Sequence, residues 1–341
     1  DERREFIGLL ASVGQGLAGI TSMSNDELAR VTRGLPRVEI AEIVRYCQRT
    51  ATQLDLPLIS ERKSAVIRQM CQDLLEVHEP AGGFERVSGL ARAKEELGML
   101  VQAVKNNPRS ASQGVLFVGV PGCGKSHIVL ALAKELGYPC LAMRNIRQAL
   151  VGASEQNLEK VLWVVETLSP CVVWMDEIDQ VLGQRNTGQS MDAGTSERMM
   201  GRIWEFMGSM KHRGRILWVG TSNRPDILDS ALLDRFQLVI PFLHPTPSEV
   251  AGLIPVLAEQ LGRSLGEDID PAAISRIDTL QCPTVRALQE VVARAGTLTD
   301  LDTGTAGQPI DQPHLLEAAA DYKPNYNPLQ HRFIALNALK M

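Results

Sequence analysis

The hydrophobic residues of this chain follow three successive patterns. Over residues 1–80 they recur at the spacing of amphipathic helices, as in AEIVRYCQRTATQL. Short apolar runs alternate with helical stretches over residues 81–245, and helical spacing returns over residues 246–324. We therefore predict an N-terminal helical region, a large α/β subdomain and a helical subdomain, followed by a tail at residues 325–341, with no internal repeat.

The apolar runs of the central region are continuous rather than alternating. GVLFVGV, CVVWMDE and ILWVGTS are examples, and helical stretches separate them along the chain. Strands of a parallel sheet have continuous apolar runs because helices cover both faces of the sheet. The predicted fold class is therefore α/β, with a parallel sheet between helices.

Composition excludes several classes of protein. Of the 341 residues, 44% are hydrophobic and 22% are charged, as in globular proteins, and no apolar run is long enough to span a bilayer. We expect a cytoplasmic protein without a membrane partner. The net charge of −5 provides no overall attraction to nucleic acid. The six cysteines lack metal-binding spacing, which indicates reduced thiols.

The segment Gly119–Ser126, GVPGCGKS, carries the clearest chemistry. It matches G-x-x-x-x-G-K-S/T and lies between a predicted strand and a predicted helix. Gly122 and Gly124 have no Cβ, so backbone N–H groups can approach a triphosphate, and the helix that follows directs its N-terminus at the phosphates. Lys125 is expected to reach the β- and γ-phosphates, and the Ser126 hydroxyl is expected to ligate Mg²⁺.

The predicted cofactors are therefore ATP and Mg²⁺. The predicted nucleotide-binding residues of this segment are Gly119, Pro121, Gly122, Cys123, Gly124, Lys125, Ser126 and His127. A redox switch at Cys123 stays open as an alternative, because a helix N-terminus lowers the pKa of a thiol, although no partner cysteine is visible.

Two acids follow a second apolar run, in CVVWMDEID. Parallel sheets place ligand-binding groups at the carboxyl ends of their strands. Asp176 is expected to hold Mg²⁺ through water, and Glu177 is expected to polarise the attacking water as a general base. The alternative interpretation is that both acids are solvated loop residues. The phosphate loop upstream disfavours this interpretation.

Asn223 and Arg235 are the remaining catalytic candidates. Asn223 ends the apolar run ILWVGTS, and its amide could hold the attacking water or contact the γ-phosphate. Arg235, in ALLDRF, is a candidate arginine finger supplied in trans by a neighbouring subunit, a role that contributes roughly 10³–10⁵ in rate. An ordinary surface salt bridge is the alternative for Arg235.

In their order and combination, the motifs resemble those of AAA-type ATPases of the AAA+ superfamily. The matching segments, which cover about residues 80–324, include FERVSGLARAKEEL, GVPGCGKS, WMDEID and VGTSNRPDILDSALLDRF. Within the superfamily, RGLPRVEIAEIVRYC resembles a poorly characterised AAA family encoded in cyanobacterial and plastid genomes.

The resemblance implies a P-loop AAA+ core with a five-stranded parallel sheet and a helical lid. It also implies a ring-shaped homo-oligomer, with a hexamer as the expected form, that hydrolyses ATP and remodels a protein client. Gly89 and Leu90 would lie near the adenine. Arg286 would be a second sensor arginine at the γ-phosphate, with a solvent-facing helix arginine as the alternative, and Arg198 would assist the neighbour's site.

Two departures from the family pattern leave other functions open. Leu150 stands where threading members carry a pore aromatic, and LLDRF supplies a single arginine, Arg235, as in clamp-loader-like and helicase-like relatives. The alternatives are a DNA- or RNA-associated motor or loader and a nucleotide-gated assembly switch. The aromatic content of 4% disfavours base stacking. The tail is interpreted as a strap on the protein's own surface, with partner binding as the alternative.

Overall fold

The computed structural model describes most of the chain. The described residues are 2–12, 17, 19–32, 35–55, 58–59, 61–62, 65–66, 75–78, 82–143, 155–179, 193–228, 230–277, 282–324 and 327–341.

Helices flank a central run of strands in the order of the chain. The N-terminal region contains α1 (Glu2–Ser12), α2 (Asn25–Val31) and α3 (Arg37–Thr50). The strands are β1 (Leu75–His78), β2 (Gly114–Gly119), β3 (Cys140–Met143), β4 (Cys171–Met175), β5 (Ile216–Ser222) and β6 (Leu238–Phe242). The helices between them are α4 (Ala91–Asn106), α5 (Lys125–Leu136), α6 (Glu155–Leu168), α7 (Ala193–Gly208) and α8 (Ser230–Leu233). The C-terminal helices are α9 (Pro247–Gln260), α10 (Val285–Thr303), α11 (Gln312–Ala320) and α12 (Pro328–Lys340).

Within the described residues the strands form one six-stranded sheet in the order β1-β3-β4-β5-β2-β6. Strands β2 to β6 are parallel to one another, as predicted. Because β4, β5 and β2 are adjacent and parallel, their carboxyl ends meet at one edge of the sheet. Parallel sheets bind ligands at such an edge.

Strand β1 corrects the sequence prediction for residues 75–78. The stretch was predicted to be the end of a helix, but it pairs antiparallel with β3, from Leu75 against Met143 to His78 against Cys140. Leu75 is buried by this pairing. The open edge of β3 offers unpaired backbone groups, and satisfying them outweighs the weak helical preference of the local sequence.

Burial of both sheet faces explains the continuous apolar runs. Along β2, Val115 and Phe117 belong to one hydrophobic core, whereas Leu116 and Val118 belong to the core on the opposite face. All six residues of β2 are buried. The sheet thus lies between two helical layers, and this arrangement holds the ends of its strands in fixed positions.

The helical segments at the two ends of the chain have cores of their own. Helices α9, α10 and α11 enclose one core, which includes Ile254, Leu288 and Leu315. The N-terminal helices enclose another, which includes Ile7 and Ile40. The described part of the chain therefore consists of an α/β subdomain, a C-terminal helical subdomain and an N-terminal helical unit.

The tail forms α12, which packs on β2, β6 and the 3₁₀ turn Pro225–Ile227. Ile334 joins the core on one sheet face and Ala338 joins the core on the other. The helix therefore bridges the two layers, as the strap interpretation predicts. Its outer side chains Leu329, Phe333 and Leu336 are exposed.

Candidate functional site

The glycine-rich loop joins the carboxyl end of β2 to the start of α5. Gly119 has a φ of 137°, and a Cβ there would lie 2.1 Å from the carbonyl oxygen of Phe242. Gly122 and Gly124 have φ values of 78° and 91°, in the left-handed region that L side chains rarely adopt. The glycines are therefore required by the shape of the loop, and this shape leaves backbone N–H groups available at a helix N-terminus.

Lys125 is buried inside this loop. Its Nζ donates hydrogen bonds of 2.8 Å to the carbonyl oxygens of both Gly119 and Val120. Burial lowers the pKa of the Lys125 ammonium to about 8, against the opposing attraction of nearby acids that include Asp176 and Glu177. The loop thus holds the partly desolvated Lys125 ammonium. This group can exchange its hydrogen bonds with the two carbonyl oxygens for bonds with a phosphate.

The other loop side chains differ in exposure. Ser126 and His127 are exposed on the first turn of α5, and Pro121 is half-buried. Cys123 is buried, and burial raises the pKa of its thiol to about 12. Because the thiolate is the reactive form, this environment disfavours the redox switch considered for Cys123.

The two acids leave the carboxyl end of β4 beside the end of β5. Asp176 is exposed and Glu177 is half-buried. The Thr221 hydroxyl, on β5, donates a hydrogen bond to the Asp176 carboxylate and accepts one of 3.0 Å from the Glu177 N–H. The Thr221 hydroxyl thus holds Asp176 by its carboxylate and Glu177 by its backbone N–H.

Asn223 holds the Glu177 side chain. Its Nδ2 donates to Glu177 Oε1 at 3.3 Å, and its own backbone N–H donates to Asp179 Oδ1 at 3.2 Å. Glu177 has a φ of 49°, which is uncommon for a residue with a Cβ and costs of order 1–3 kcal/mol. A strained backbone and an amide that restrains the carboxylate are features of a side chain positioned for chemistry.

The turn before α4 lies against both the loop and the helical subdomain. Leu90 has a φ of 54°, and its Cδ1 lies 3.4 Å from the position that a Cβ on Gly124 would take. The Leu90 N–H donates to Glu249 Oε1 at 3.2 Å, and Glu249 also lies beside Gly89. The structure therefore places Leu90 next to the phosphate loop and Gly89 beside Glu249 of the helical subdomain.

Arg286, at the start of α10, contacts the same loop from the opposite side. Its backbone N–H donates to the Gly122 carbonyl oxygen at 3.3 Å. A Cβ on Gly122 would lie 3.2 Å from the Arg286 Cβ and 3.3 Å from the Thr284 hydroxyl. The Arg286 side chain is exposed. This contact brings the helical subdomain to the nucleotide side of the sheet.

Arg235 lies beside the amino end of β2, whereas the phosphate loop follows the carboxyl end of this strand. A Cβ on Gly114, the first residue of β2, would lie 2.2 Å from the Arg235 carbonyl oxygen. The Arg235 guanidinium rests against the end of α7, with Nη1 3.2 Å from the position of a Cβ on Gly208. Since β2 rises about 3.3 Å per residue, the length of the strand separates Arg235 from the phosphate loop by roughly 17 Å.

The described residues fit a nucleotide with a magnesium ion. Backbone N–H groups, one buried ammonium and a helix N-terminus are all present at one loop, which suits a polyphosphate. Among the described residues, no cluster of three or more His, Cys, Asp or Glu side chains could hold a metal ion. A site with one carboxylate, Asp176, and one hydroxyl, Ser126, suits Mg²⁺, which keeps several waters and takes its remaining ligands from substrate phosphates.

Two further residues were singled out in the sequence. Leu150 lies outside the described residues. Arg198 is described on α7, where its side chain is exposed.

Sequence reasoning missed four residues that support the site. They are Thr221, Asp179, Glu249 and Thr284, each in contact with a predicted site residue or at the phosphate loop. The first was detectable in the run TSN at the end of a strand. The contacts of Glu249 and Thr284 depend on how the helical subdomain packs, which no local pattern reveals.

Two family models match the chain. Residues 115–243 match the model for the ATPase family associated with various cellular activities (AAA). Residues 1–72 match the model for the second helical domain of AAA+ chaperones.

The chain is similar to curated proteins over part of their length. It is 31% identical over 213 residues to the chloroplastic ATP-dependent zinc metalloprotease FTSH 1 of Arabidopsis thaliana, covering 59% of this chain and 29% of that protein. It is 30% identical to FTSH 5 of the same plant, covering 59% of this chain and 30% of that protein. The chain thus spans less than a third of the length of either relative.

Solved structures share the fold. A crystal structure of the FIGL-1 AAA domain in complex with ADP gives a TM-score of 0.62 at 21% identity. A second crystal structure of this domain gives a TM-score of 0.64 at the same identity. They cover 81% of this chain and 96% and 95% of the matched chains. Among the helices that our structure describes, none combines the length and apolar character needed to cross a bilayer.

Proposed function

The chain is an AAA-type ATPase of the AAA+ superfamily, and from this premise we propose that it hydrolyses ATP at interfaces between its own copies in a ring and thereby remodels a protein partner. The position of Arg235, at the end of β2 away from the phosphate loop, carries the proposal. No arginine side chain can cross the length of a strand, so Arg235 cannot serve the loop of its own chain. A head-to-tail ring brings the two ends of the sheet together on neighbouring copies.

Binding begins at the loop. Lys125 exchanges the carbonyl oxygens of Gly119 and Val120 for phosphate oxygens, and this exchange replaces neutral acceptors with charged ones. The N–H groups of the glycine-rich loop bind the phosphates, and Leu90 forms an apolar surface beside Gly124. Ser126 and Asp176 would hold magnesium, which neutralises charge on the phosphates when bound.

Turnover then depends on Glu177. Its carboxylate, restrained by the Asn223 amide, is placed to orient and deprotonate a water molecule aimed at the terminal phosphate. The neighbour's Arg235 would stabilise the charge that develops there. Because the Arg286 N–H contacts the loop at Gly122, a change at the phosphates reaches the helical subdomain through a direct contact.

A protein client is favoured over nucleic acid by the charge of the chain. The net charge is −5 and the aromatic content 4%, which suits neither a phosphate-backbone groove nor a base-stacking surface. The FIGL-1 AAA domain, whose fold this chain shares, was crystallised in complex with ADP, which supports an adenine nucleotide as the proposed ligand.

The test mixes two inactive variants. Arg235→Ala should retain nucleotide binding and lose roughly 10³-fold or more in turnover, and Glu177→Gln should bind ATP without hydrolysing it. In an equimolar mixture, about a quarter of the interfaces combine an intact Arg235 with an intact Glu177, so about a quarter of parent activity should return. A mixture no more active than either variant alone would contradict the trans arrangement.

The Glu177→Gln variant also tests the client. Held with ATP, it should retain a bound protein and no nucleic acid. Recovery of nucleic acid alone, sensitive to nuclease, would favour the motor or loader function instead.

A further inference from the structure

Thr221, on β5, is bonded to three successive residues of the turn that follows β4. Its hydroxyl donates to the Asp176 carboxylate and accepts from the Glu177 N–H at 3.0 Å. Its carbonyl oxygen accepts from the Ile178 N–H at 3.0 Å. The bond to Ile178 involves only the backbone, so any residue at position 221 can form it. The bonds to Asp176 and Glu177 require a hydroxyl, so they are specific to the side chain at this position.

The direction of the Thr221 hydroxyl proton follows from its two partners. A hydroxyl has one proton to donate and two lone pairs that accept. The Glu177 N–H can only donate, so the hydroxyl oxygen accepts there and its proton is directed at the Asp176 carboxylate. An ionised carboxylate is a strong acceptor for such a donor. One side chain thus bonds both the acid expected to hold magnesium and the acid expected to activate water.

The Thr221 side chain is itself held in a fixed position. Thr221 lies opposite Phe117 of β2 in the middle of the sheet and is 1% exposed. Branching at Cβ restricts the χ1 angle of a threonine, which fixes the direction of its hydroxyl. Hydrogen bonds in a buried position are also stronger than in water, because the local dielectric constant is low.

Glu177 needs this support because its backbone is strained. Its φ of 49° lies in the left-handed region, which a residue with a Cβ rarely adopts. The Thr221 hydroxyl holds the backbone N–H of Glu177, and the Asn223 amide holds the carboxylate at 3.3 Å. Restraint at both ends of the residue maintains a conformation that the backbone alone disfavours.

We propose that Thr221 is a positioning residue of the ATPase, whose hydroxyl holds Asp176 and Glu177 in the arrangement that hydrolysis requires before any nucleotide binds. The proposal rests on the role of Glu177 in the proposed function. Because Asp176 Oδ1 is engaged by Thr221, the same bond orients the carboxylate toward the metal site. Loss of the hydroxyl should therefore weaken metal binding and slow turnover together.

The phosphate loop should not depend on Thr221. The buried ammonium of Lys125 donates to the carbonyl oxygens of Gly119 and Val120, which lie in the loop itself. Substitution of Thr221 should thus separate two functions of the site, with nucleotide affinity retained and turnover lost. A hydroxyl that only stabilised the fold would lower the free energy of unfolding and leave the kcat of the folded molecules unchanged.

The test replaces the hydroxyl by a methyl group in Thr221→Val and keeps it in Thr221→Ser, in the full chain at saturating ATP and Mg²⁺. In Thr221→Val we expect kcat to fall roughly 10- to 100-fold with little change in the KM for ATP. Thr221→Ser should recover most of this loss. Thr299→Val is the matched control, because Thr299 is 2% exposed and its hydroxyl donates to the Ala295 carbonyl oxygen of the same helix. This control should keep the parent kcat.

Calorimetry with ADP measures binding without turnover. In the absence of Mg²⁺, the affinity of Thr221→Val for ADP should stay within about twofold of the parent, since the phosphate loop is intact. The additional affinity that Mg²⁺ provides should fall roughly tenfold, because Asp176 has lost the hydrogen bond that orients it. Weaker binding of ADP without Mg²⁺ would show that the substitution had distorted the phosphate loop, and would contradict the proposal.

Amide hydrogen exchange reports the position of Glu177 directly. In the full chain labelled with ¹⁵N-glutamate, the Glu177 signal is the one that is absent from Glu177→Gln. Without nucleotide, we expect this amide to exchange slowly in the parent and in Thr221→Ser, and at least about tenfold faster in Thr221→Val. If valine prevents folding, Thr221→Ala provides the same comparison, because the smaller side chain leaves room for water at the Glu177 N–H.

Three results overturn the proposal. The first is a parent kcat in Thr221→Val, and the second is a reduced kcat with Glu177 exchange as slow as in the parent. The third is a parent amide that exchanges rapidly until nucleotide binds, which would exclude positioning in advance. The exchange measurement needs neither hydrolysis nor assembly. It is therefore distinguishable from failure of the proposed function, which hydrolysis of ATP by Glu177→Gln at the parent rate would show.

Discussion

The environment of Lys125 ties nucleotide affinity to pH at the scale of a single residue. In the free protein its ammonium is buried against two loop carbonyl oxygens, and burial lowers its pKa to about 8. Phosphate oxygens stabilise the charged form, so the pKa rises when a nucleotide binds. Binding above pH 8 therefore requires uptake of a proton, whereas binding below pH 8 does not.

We expect the affinity for ADP to be nearly constant between pH 7 and the pKa of Lys125, and to fall above about pH 8 toward a tenfold loss per pH unit. Isothermal titration of the parent chain across pH 7 to 9.5 measures this slope. Lys125→Ala is the matched control, with weak binding that lacks the slope. A parent profile that stays flat to pH 9.5 contradicts the assignment.

Several residue-scale assignments could be made before the structure was known, and others could not. The glycine loop, Lys125 and Glu177 are adjacent to strand ends in the sequence, so their local order already places them at one edge. Thr221 could be noticed at the end of an apolar run, but its contacts could not be predicted, because its hydrogen bonds to Asp176 and Glu177 join two strands whose pairing is nonlocal.

At the scale of elements, α12 connects the tail to the nucleotide edge. His331 on α12 is buried, and its ring centroid lies 5.5 Å from that of His244, in the segment between β6 and α9. Burial lowers the pKa of both rings, and the positive charges of Lys125 near His331 and Arg332 near His244 act in the same direction. Docking of α12 therefore favours two neutral histidines.

We expect this pair to destabilise the α/β subdomain in acid. A histidine whose pKa is lowered on folding binds more protons in the unfolded chain, so the stability is complete above the ordinary pKa of about 6.5 and is lost as pH falls below it. His331→Leu should therefore reduce the loss of unfolding free energy between pH 7.5 and 5.5. All four tryptophans, Trp163, Trp174, Trp204 and Trp218, lie in this subdomain, so their fluorescence reports its unfolding by urea.

His127→Gln, which removes an exposed histidine on the first turn of α5, is the matched control for that measurement. Some dependence should persist in His331→Leu, because burial also lowers the pKa of His212. An unchanged acid loss in His331→Leu would show that the pair does not titrate on unfolding.

The strand β1 illustrates why element prediction fails where tertiary pairing decides. Residues 75–78 have apolar spacing compatible with a helix, yet they complete the edge of the sheet beside β3. The parallel strands were predictable because burial on both faces leaves a continuous apolar run in the sequence. An edge strand has no such signature.

At the scale of the whole molecule, the separation of Arg235 from the phosphate loop is the basis for our proposal that turnover depends on assembly. If each site needs two copies, activity per subunit should rise with protein concentration and reach a plateau when the ring is complete. Dilution series of ATPase activity, paired with sedimentation at the same concentrations, measure this relation. Constant activity per subunit under conditions where sedimentation shows monomers would contradict a shared site.

The amino-acid sequence by itself determined the α/β class, the phosphate loop, the acid pair and the family, because each depends on residues that are neighbours along the chain. Only the tertiary structure decided that Thr221, Glu249 and Thr284 support the site and that β1 joins the sheet. These features depend on contacts between distant segments. Such contacts cannot be deduced from the sequence, since an apolar residue in a sequence does not reveal which surface it faces.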